Sequence, residues 1–510
     1  ILSTMKKYIY ITSLFCATFL GGCDNFLTVE SPDFSTDKFW RDSIDVESGL
    51  SAAYAQLDNR CGTYNFSEIK FVIETFREDI MEKGSDVNNY PEWGQIYDFT
   101  YNNENSRIKE YWMNCYNGIN YTNNVLLGIN KVQTGDHPMD QEKYNSVEGE
   151  ALFLRAYYHM KLLLNWEKII IRDEYLTSEE QTHKALSTRE AGWEFVCSEL
   201  SAAGKILPLT RPSLQAGRVT SGAAYAYLGW AYLTRAYEQP EKKTEYLTKA
   251  EEALEQVKGY ALEKDFLSMF NGTNKNCKES IFEIQFTGNT SDGAYHQHVM
   301  HYWVAAPVLR GWDEIRPSEM ILNEYRKEGR IATTGNLDSR AYASMFFDDP
   351  YFNDGNERIY GFEYTDLFDA NDEINRCFRK YMPDDMQKLK QSNTSTNVPI
   401  MRYANVLLMQ AEIYNEQGHP EKAVPLINEV RRVHGDMPGM SGESYEAVKA
   451  QIEHERLMEF AVENFRFYDL RRWGKLDEAL HLAGRKNFST EKHAFLPVPL
   501  MEIQSNNKID

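Results

Sequence analysis

Apolar residues recur at three-to-four spacing through most of the chain, and sustained two-residue alternation is scarce. Residues 46 to 58, 106 to 131 and 143 to 166 read as helices, the last with Val147, Ala151, Leu154 and Tyr158 on one face. Thr220 or Ser221 is the expected N-cap of a helix over 220 to 237, and a second helix over 241 to 257 follows Gln239-Pro240. Asn405 to Gln417 repeats the plan: after Gly418-His419-Pro420 a partner helix carries Ala423, Leu426, Ile427 and Val430. Small residues stand where two such helices would approach closely: Ala223, Ala224, Gly229 and Ala231, then Ala404, Ala411 and Ala423. The pattern predicts an all-α, mostly helical fold of tetratricopeptide-like pairs, each burying against its neighbour a face it cannot bury alone.

The helical scaffold spans about residues 35 to 260 and 400 to 480, with an irregular region, about 265 to 400, inserted between its two parts. That region is rich in Gly, Asn, Asp and aromatics, and Ser318 to Lys327 is its one clear helix. A second loop-like patch, 84 to 105, interrupts the N-terminal helices. Rigid helices that position long irregular segments are the usual framework of a recognition site.

The N-terminus carries different information. Met5-Lys6-Lys7 precedes an apolar run, Tyr8 to Leu20, that is too short for a membrane span and has the anatomy of a secretory signal. It ends in Leu20-Gly21-Gly22-Cys23, which resembles a lipobox, so residues 1 to 22 are expected to be removed and Cys23 to receive lipid. No later window matches the length of a membrane helix, which leaves the lipid as the only membrane contact. The formal charge of −21 and pI near 5.1 make nucleic acid an unlikely partner. Cys61, Cys115, Cys197, Cys277 and Cys377 are odd in number and far apart, which argues against a disulfide framework or a zinc site.

Three C-terminal stretches carry a family resemblance over nearly the whole chain: residues 400 to 435, then IEHERLMEFAVENFRFYDLRRWGKL (452 to 476), then FLPVPLMEIQSNNKI (495 to 509). Weaker matches lie at 147 to 166, 217 to 233 and 311 to 325. The chain resembles the SusD/RagB family of outer-membrane nutrient-binding lipoproteins, with Asn405 where the family usually has an acidic residue. The resemblance implies a lipid-anchored protein of the outer membrane, facing the cell exterior. It would capture oligosaccharides, or alternatively peptides in the RagB manner, and pass them to a SusC-like TonB-dependent transporter. It also implies no cofactor and no catalysis.

An aromatic content of 13%, with 32 Tyr and 9 Trp, supplies more rings than charged composition alone would suggest, and a pyranose is held by an aromatic face with polar groups at its edge. Trp93 has that setting, with Asn88 and Tyr90 before it and Arg77 upstream as a polar contact; it either stacks on a sugar or pins its loop to a helix. The second candidate is His296, Tyr302 and Trp303, where the resemblance favours Trp303 as the stacking ring and gives Trp312, inside a Gly-Trp motif, a structural role.

Glu455, Arg456, Glu459, Arg466, Asp469, Arg471 and Arg472 recur at helical spacing among large apolar residues and read as inter-helix ion pairs rather than an active site. His296, His298 and His301 lack a completing carboxylate, so no metal is assigned there. Asp348, Asp349, Asp354, Asn356 and Glu357 form an oxygen-rich turn without EF-hand spacing, where a structural calcium is the open alternative to a solvated turn. GxSxG, HExxH and P-loop motifs are absent, and the chain is read as a binding protein, not an enzyme.

Overall fold

In a computed structural model the described residues are 39 to 58, 60 to 61, 64 to 288 and 297 to 509, without the side chains of 60 to 69 and 71. Cys23, the signal segment and His296 therefore lie outside the described residues.

The scaffold is built from long helices joined by tight breaks. They are α1 (Ser43–Ala55), α2 (Ser106–Thr134), α3 (Gln141–Asn165), α4 (Arg189–Ile206), α5 (Ser221–Glu238) and α6 (Lys243–Leu254), then α7 (Tyr403–Glu416), α8 (Pro420–His434), α9 (Tyr445–Glu459) and α10 (Arg466–Arg472). From α2 to α6 each helix packs on the next, and α7 packs on α8, so the tetratricopeptide-like logic holds in both blocks. Side-chain oxygens start the helices: Asn105 caps α2, Asp140 caps α3, Thr188 caps α4 and Thr220 caps α5, each accepting from a backbone N–H of the first turn. Pro420 opens α8 at the position where a missing N–H costs nothing. Ala223, Ala224, Ala231, Ala404, Ala411 and Ala423 are all fully buried, as close helix approach requires. Among the described residues no helix is long and apolar enough to cross a membrane.

The region between the blocks is folded by short pairings with the scaffold. Strand β1 (Met81–Lys83) pairs antiparallel with β3 (Ile315–Pro317), and β2 (Ser280–Ile284) with β4 (Val398–Arg402), which runs directly into α7. A buried ionic network continues the second junction inward. Arg402 reaches Glu279 at 2.5 Å, Glu459 at 2.9 Å and Glu463 at 2.8 Å, and Lys380 meets Glu463 at 2.8 Å. Arg340 contacts Asp338, Glu455 and Glu459, and Arg431 contacts Glu455. The irregular region thus supplies residues 279, 338, 340 and 380, and the scaffold supplies the rest. The other charges of the C-terminal motif are structural as well: Arg456 pairs with Asp469 and donates to the Asn405 amide oxygen, Arg466 pairs with Asp79, and Arg472 pairs with Glu412.

One expectation is corrected. The 84 to 105 patch is not a plain loop, because Pro91–Tyr97 forms a short helix opened by Pro91, with Trp93 and Ile96 on its buried face.

Candidate functional site

The two aromatic stretches singled out in the sequence come together beside the β1–β3 pair. The pairing continues past the strand ends: the Gly84 N–H donates to the Glu314 carbonyl at 2.8 Å and the Asp86 N–H to the Asp313 carbonyl at 3.3 Å. A Cβ on Gly84 would lie 1.7 Å from the Asp313 oxygen, so a side chain there would force the two backbones apart. The Asp313 carboxylate accepts from both the N–H and the hydroxyl of Ser85 at 2.8 Å and from the Arg316 guanidinium. These bonds fix the 85 to 90 loop against residues 312 to 314.

The chain then doubles back on itself. Arg310 takes a left-handed conformation (φ 66°), and the Trp312 N–H donates to the Tyr302 carbonyl at 2.8 Å. A Cβ on Gly311 would stand 1.7 Å from the Ala305 carbonyl oxygen, so this crossing needs glycine. The result lays Trp312 on Tyr302, with ring centroids 5.1 Å apart and planes 30° from parallel. The Tyr302 hydroxyl donates to the Gln391 carbonyl at 2.9 Å, and the His301 ring nitrogen Nε2 donates to the same oxygen at 3.1 Å.

From this pair a column of rings descends into the interior: Trp312 to Trp303 at 6.3 Å, Trp303 to Trp93 at 6.0 Å and Trp93 to Phe76 at 6.4 Å, each edge to face. Only its outer end meets solvent. Trp312 is 42% exposed and Tyr302 partly so, whereas Trp303 is 1% and Trp93 0% exposed.

The structure buries Trp303, the ring expected to stack, and leaves Trp312 exposed. Trp303 shares the inner face of the short helix Met300–Val304 with Met300 and Val304, at three- and one-residue offsets, and Tyr302 points outward. Trp93 takes the loop-pinning role of its two readings. Arg77 is fully buried, donates to the Ile73 carbonyl and the Asn165 amide, and lies 4.4 Å over the Phe467 ring, so it offers nothing to a surface ligand. Asn88 is exposed and Tyr90 half-buried on the loop that Asp313 holds.

The comparisons with known proteins agree on one family. The SusD family matches residues 278–510, and a family described as starch-binding and associating with the outer membrane matches residues 25–233. The chain belongs to the SusD family.

SusD-like protein P2 of Formosa agariphila is 24% identical over 540 residues, covering 99% of both chains. A SusD superfamily protein from Bacteroides vulgatus is 27% identical with a TM-score of 0.79, over 92% of this chain and 99% of that one. Surface glycan-binding protein A from Bacteroides thetaiotaomicron, solved with laminarihexaose, shares the fold at 19% identity and a TM-score of 0.73, over 92% and 98% of the two chains.

Within this SusD-family fold, the titratable clusters are occupied by one another. The His434 ring faces Glu459 at 2.9 Å and Glu279 at 3.0 Å, and although burial opposes its charge, the two carboxylates raise its pKa to about 9. Arg402 reaches the same two carboxylates, so the geometry is that of ion pairs. His298 accepts from the Met300 N–H and donates to the Thr396 carbonyl; burial drops its pKa to about 3. In the acidic turn, Asp349 is bound by Arg330 and Tyr342, and Asp354 by Arg358.

The sequence gives Trp312 a structural role, whereas the structure leaves it the exposed ring of the column. A cavity of about 890 Å³ between 328 to 333 and 425 to 439 has no aromatic residue in its lining. The available signal was the five-residue helix period, which places 303 with 300 and 304, and the Arg310-Gly311 turn, which returns residue 312 over 302.

Proposed function

We propose that this chain is a surface glycan-binding lipoprotein that holds an oligosaccharide on the Tyr302–Trp312 platform and passes it, unhydrolysed, to a SusC-like TonB-dependent outer-membrane transporter. The observation that carries the reading is the platform itself: two rings, partly exposed, braced from below by Trp303 and Trp93. The C–H face of a pyranose fits a ring of that kind, and Asn88 and Arg310, exposed, and Tyr90, half-buried, on the segments leading into and packed against residues 312 to 314, are the polar candidates for its hydroxyls. Membership of the SusD family supports the glycan class, as does the shared fold with a protein solved with laminarihexaose. Trp93 and Trp303 act as supports beneath the platform. Cys23 carries the lipid that tethers the protein to the outer membrane with its site outward.

A fluorescence titration with laminarihexaose, maltohexaose and xylohexaose tests this reading. Tryptophan emission should shift with one of them, and the recovered oligosaccharide should keep its length. Release of shorter products would replace binding with hydrolysis. Replacing Cys23→Ser should release the protein from the membrane fraction together with any co-purifying β-barrel; retention of both would remove the anchor and the partnership.

A further inference from the structure

Where β1 meets β3, two carboxyls come together that no cation neutralises. Glu314 stands just before β3, its backbone carbonyl accepts from the Gly84 N–H, and its side chain is 1% exposed. Asp86, half-buried, begins the stretch that carries Asn88 and Tyr90, and its carboxyl shares a hydrogen bond with that of Glu314. The cations of the two strands, and Arg376 packed on β3, are engaged elsewhere: Arg316 with Asp313 and Glu373, Lys83 with Asp98, and Arg376 with Glu82 and Glu319. The charged groups that act on Glu314 are Asp86 and Asp313, both carboxylates.

Two carboxylates cannot meet at hydrogen-bond distance in a place closed to water unless one keeps its proton. The Glu314 Oε2 points the same way: it is buried with no hydrogen-bond partner, which suits the carbonyl oxygen of a neutral acid and is costly for a carboxylate. Burial, then the bond to Asp86 and the charges of Asp86 and Asp313, raise the Glu314 carboxyl to about 9.

We infer that Glu314 is a positioning residue of the saccharide site: its O–H donates to the Asp86 carboxylate and so holds the 86 to 90 loop, with Asn88 and Tyr90, at the edge of the Tyr302–Trp312 platform. This role rests on the glycan-binding reading. Ser85 is anchored by Asp313, but beyond it the backbone offers the loop one long bond to residues 312 to 314, from the Asp86 N–H to the Asp313 carbonyl at 3.3 Å. The amide of Asn89 donates to Asp86 at 2.6 Å within the loop itself. Loss of the Glu314 proton turns the remaining attachment into a repulsion between two charges, and the loop leaves the platform edge.

The test is isothermal titration of laminarihexaose, maltohexaose and xylohexaose into the whole chain and into Glu314→Gln between pH 6.5 and 9.5. With a midpoint of about 9, about a quarter of the molecules keep the proton at the upper limit, so the parent chain should lose about fourfold in affinity across the range. Glu314→Gln keeps an N–H donor toward Asp86 and cannot ionise, so it should match the parent at pH 6.5 and hold that affinity to 9.5. His434 titrates in both proteins, and its effect on stability cancels in the comparison. Glu314→Leu fills the space without a donor and should bind about tenfold more weakly throughout. Infrared difference spectra without ligand should show a protonated-carboxyl component at pH 6.5 that Glu314→Gln lacks. Binding in the parent chain that does not weaken toward pH 9.5, an equal loss in Glu314→Gln, or no such component would overturn the role of Glu314. No binding of any hexasaccharide, with the component present, would overturn the glycan reading and this role with it.

Discussion

Trp93, Trp303 and Trp312 belong to one column of rings, but only Trp312 keeps a large part of its surface in solvent. Truncating an enclosed tryptophan removes its burial and leaves a cavity, so Trp93→Ala is expected to lower stability by about 3–5 kcal/mol. Trp312→Ala removes a half-exposed ring and should cost about 1 kcal/mol or less. Denaturant unfolding of the two variants checks the contrast, and equal losses would mean that the column is not ordered from core to surface in this way. The sequence named Tyr302 and Trp303 as candidate rings and gave Trp312 a structural role; the structure exposes Trp312 and encloses Trp303. Composition cannot separate two tryptophans nine positions apart; what separates them is the direction of each side chain, set by the Met300–Val304 helix and the turn at Arg310. Arg77 misled for a related reason: a lone arginine near a loop reads as a contact until its partners, Asn165 and the Phe467 ring, are brought in from distant helices.

At the scale of elements, two backbone crossings hold the platform together, one at Gly84 over Asp313 and one at Gly311 over Ala305. A methyl group at 1.7 Å from a carbonyl oxygen has no way to fit without moving a segment. Gly311→Ala is expected to cost about 2 kcal/mol or more and to weaken glycan binding by displacing Trp312 from Tyr302. Calorimetry and unfolding read on the same sample check this; wild-type affinity in a folded Gly311→Ala protein would show that the stack is not the site. The helix pairs were readable from periodicity and breakers, down to the Thr220 cap and the Pro420 start, because those signals are local. The four short strands were not readable. Three- and five-residue pairings between segments far apart in the chain, such as β1 with β3, leave no periodic trace in either segment.

For the whole molecule, the buried charge network makes stability depend on pH in a definite direction. The folded pKa of His434, about 9, lies above the ~6.5 of an unperturbed histidine. Its contribution is therefore present in full below about 6.5 and is lost as pH rises through about 9. Glu314 works the same way: burial, with Asp86 and Asp313 beside it, raises its carboxyl to about 9, while in the unfolded chain it ionises near ~4.3. Urea midpoints should fall steadily from pH 6.5 to 9.5, and His434→Gln should be less stable overall yet flatter across that range. A flat profile in the parent chain, or the same slope in the variant, would contradict the charge assignment. The overall charge of the molecule made nucleic acid an improbable ligand at the sequence level.

Whether the two-ring platform of this SusD-family scaffold holds glycan is decided by isothermal titration of laminarihexaose, maltohexaose and xylohexaose into the parent chain and into Trp312→Ala. One hexasaccharide is expected to bind the parent chain and to lose about tenfold or more in affinity in Trp312→Ala, while the variant unfolds at nearly the parent midpoint. Binding that is unchanged when Trp312 is removed would contradict it.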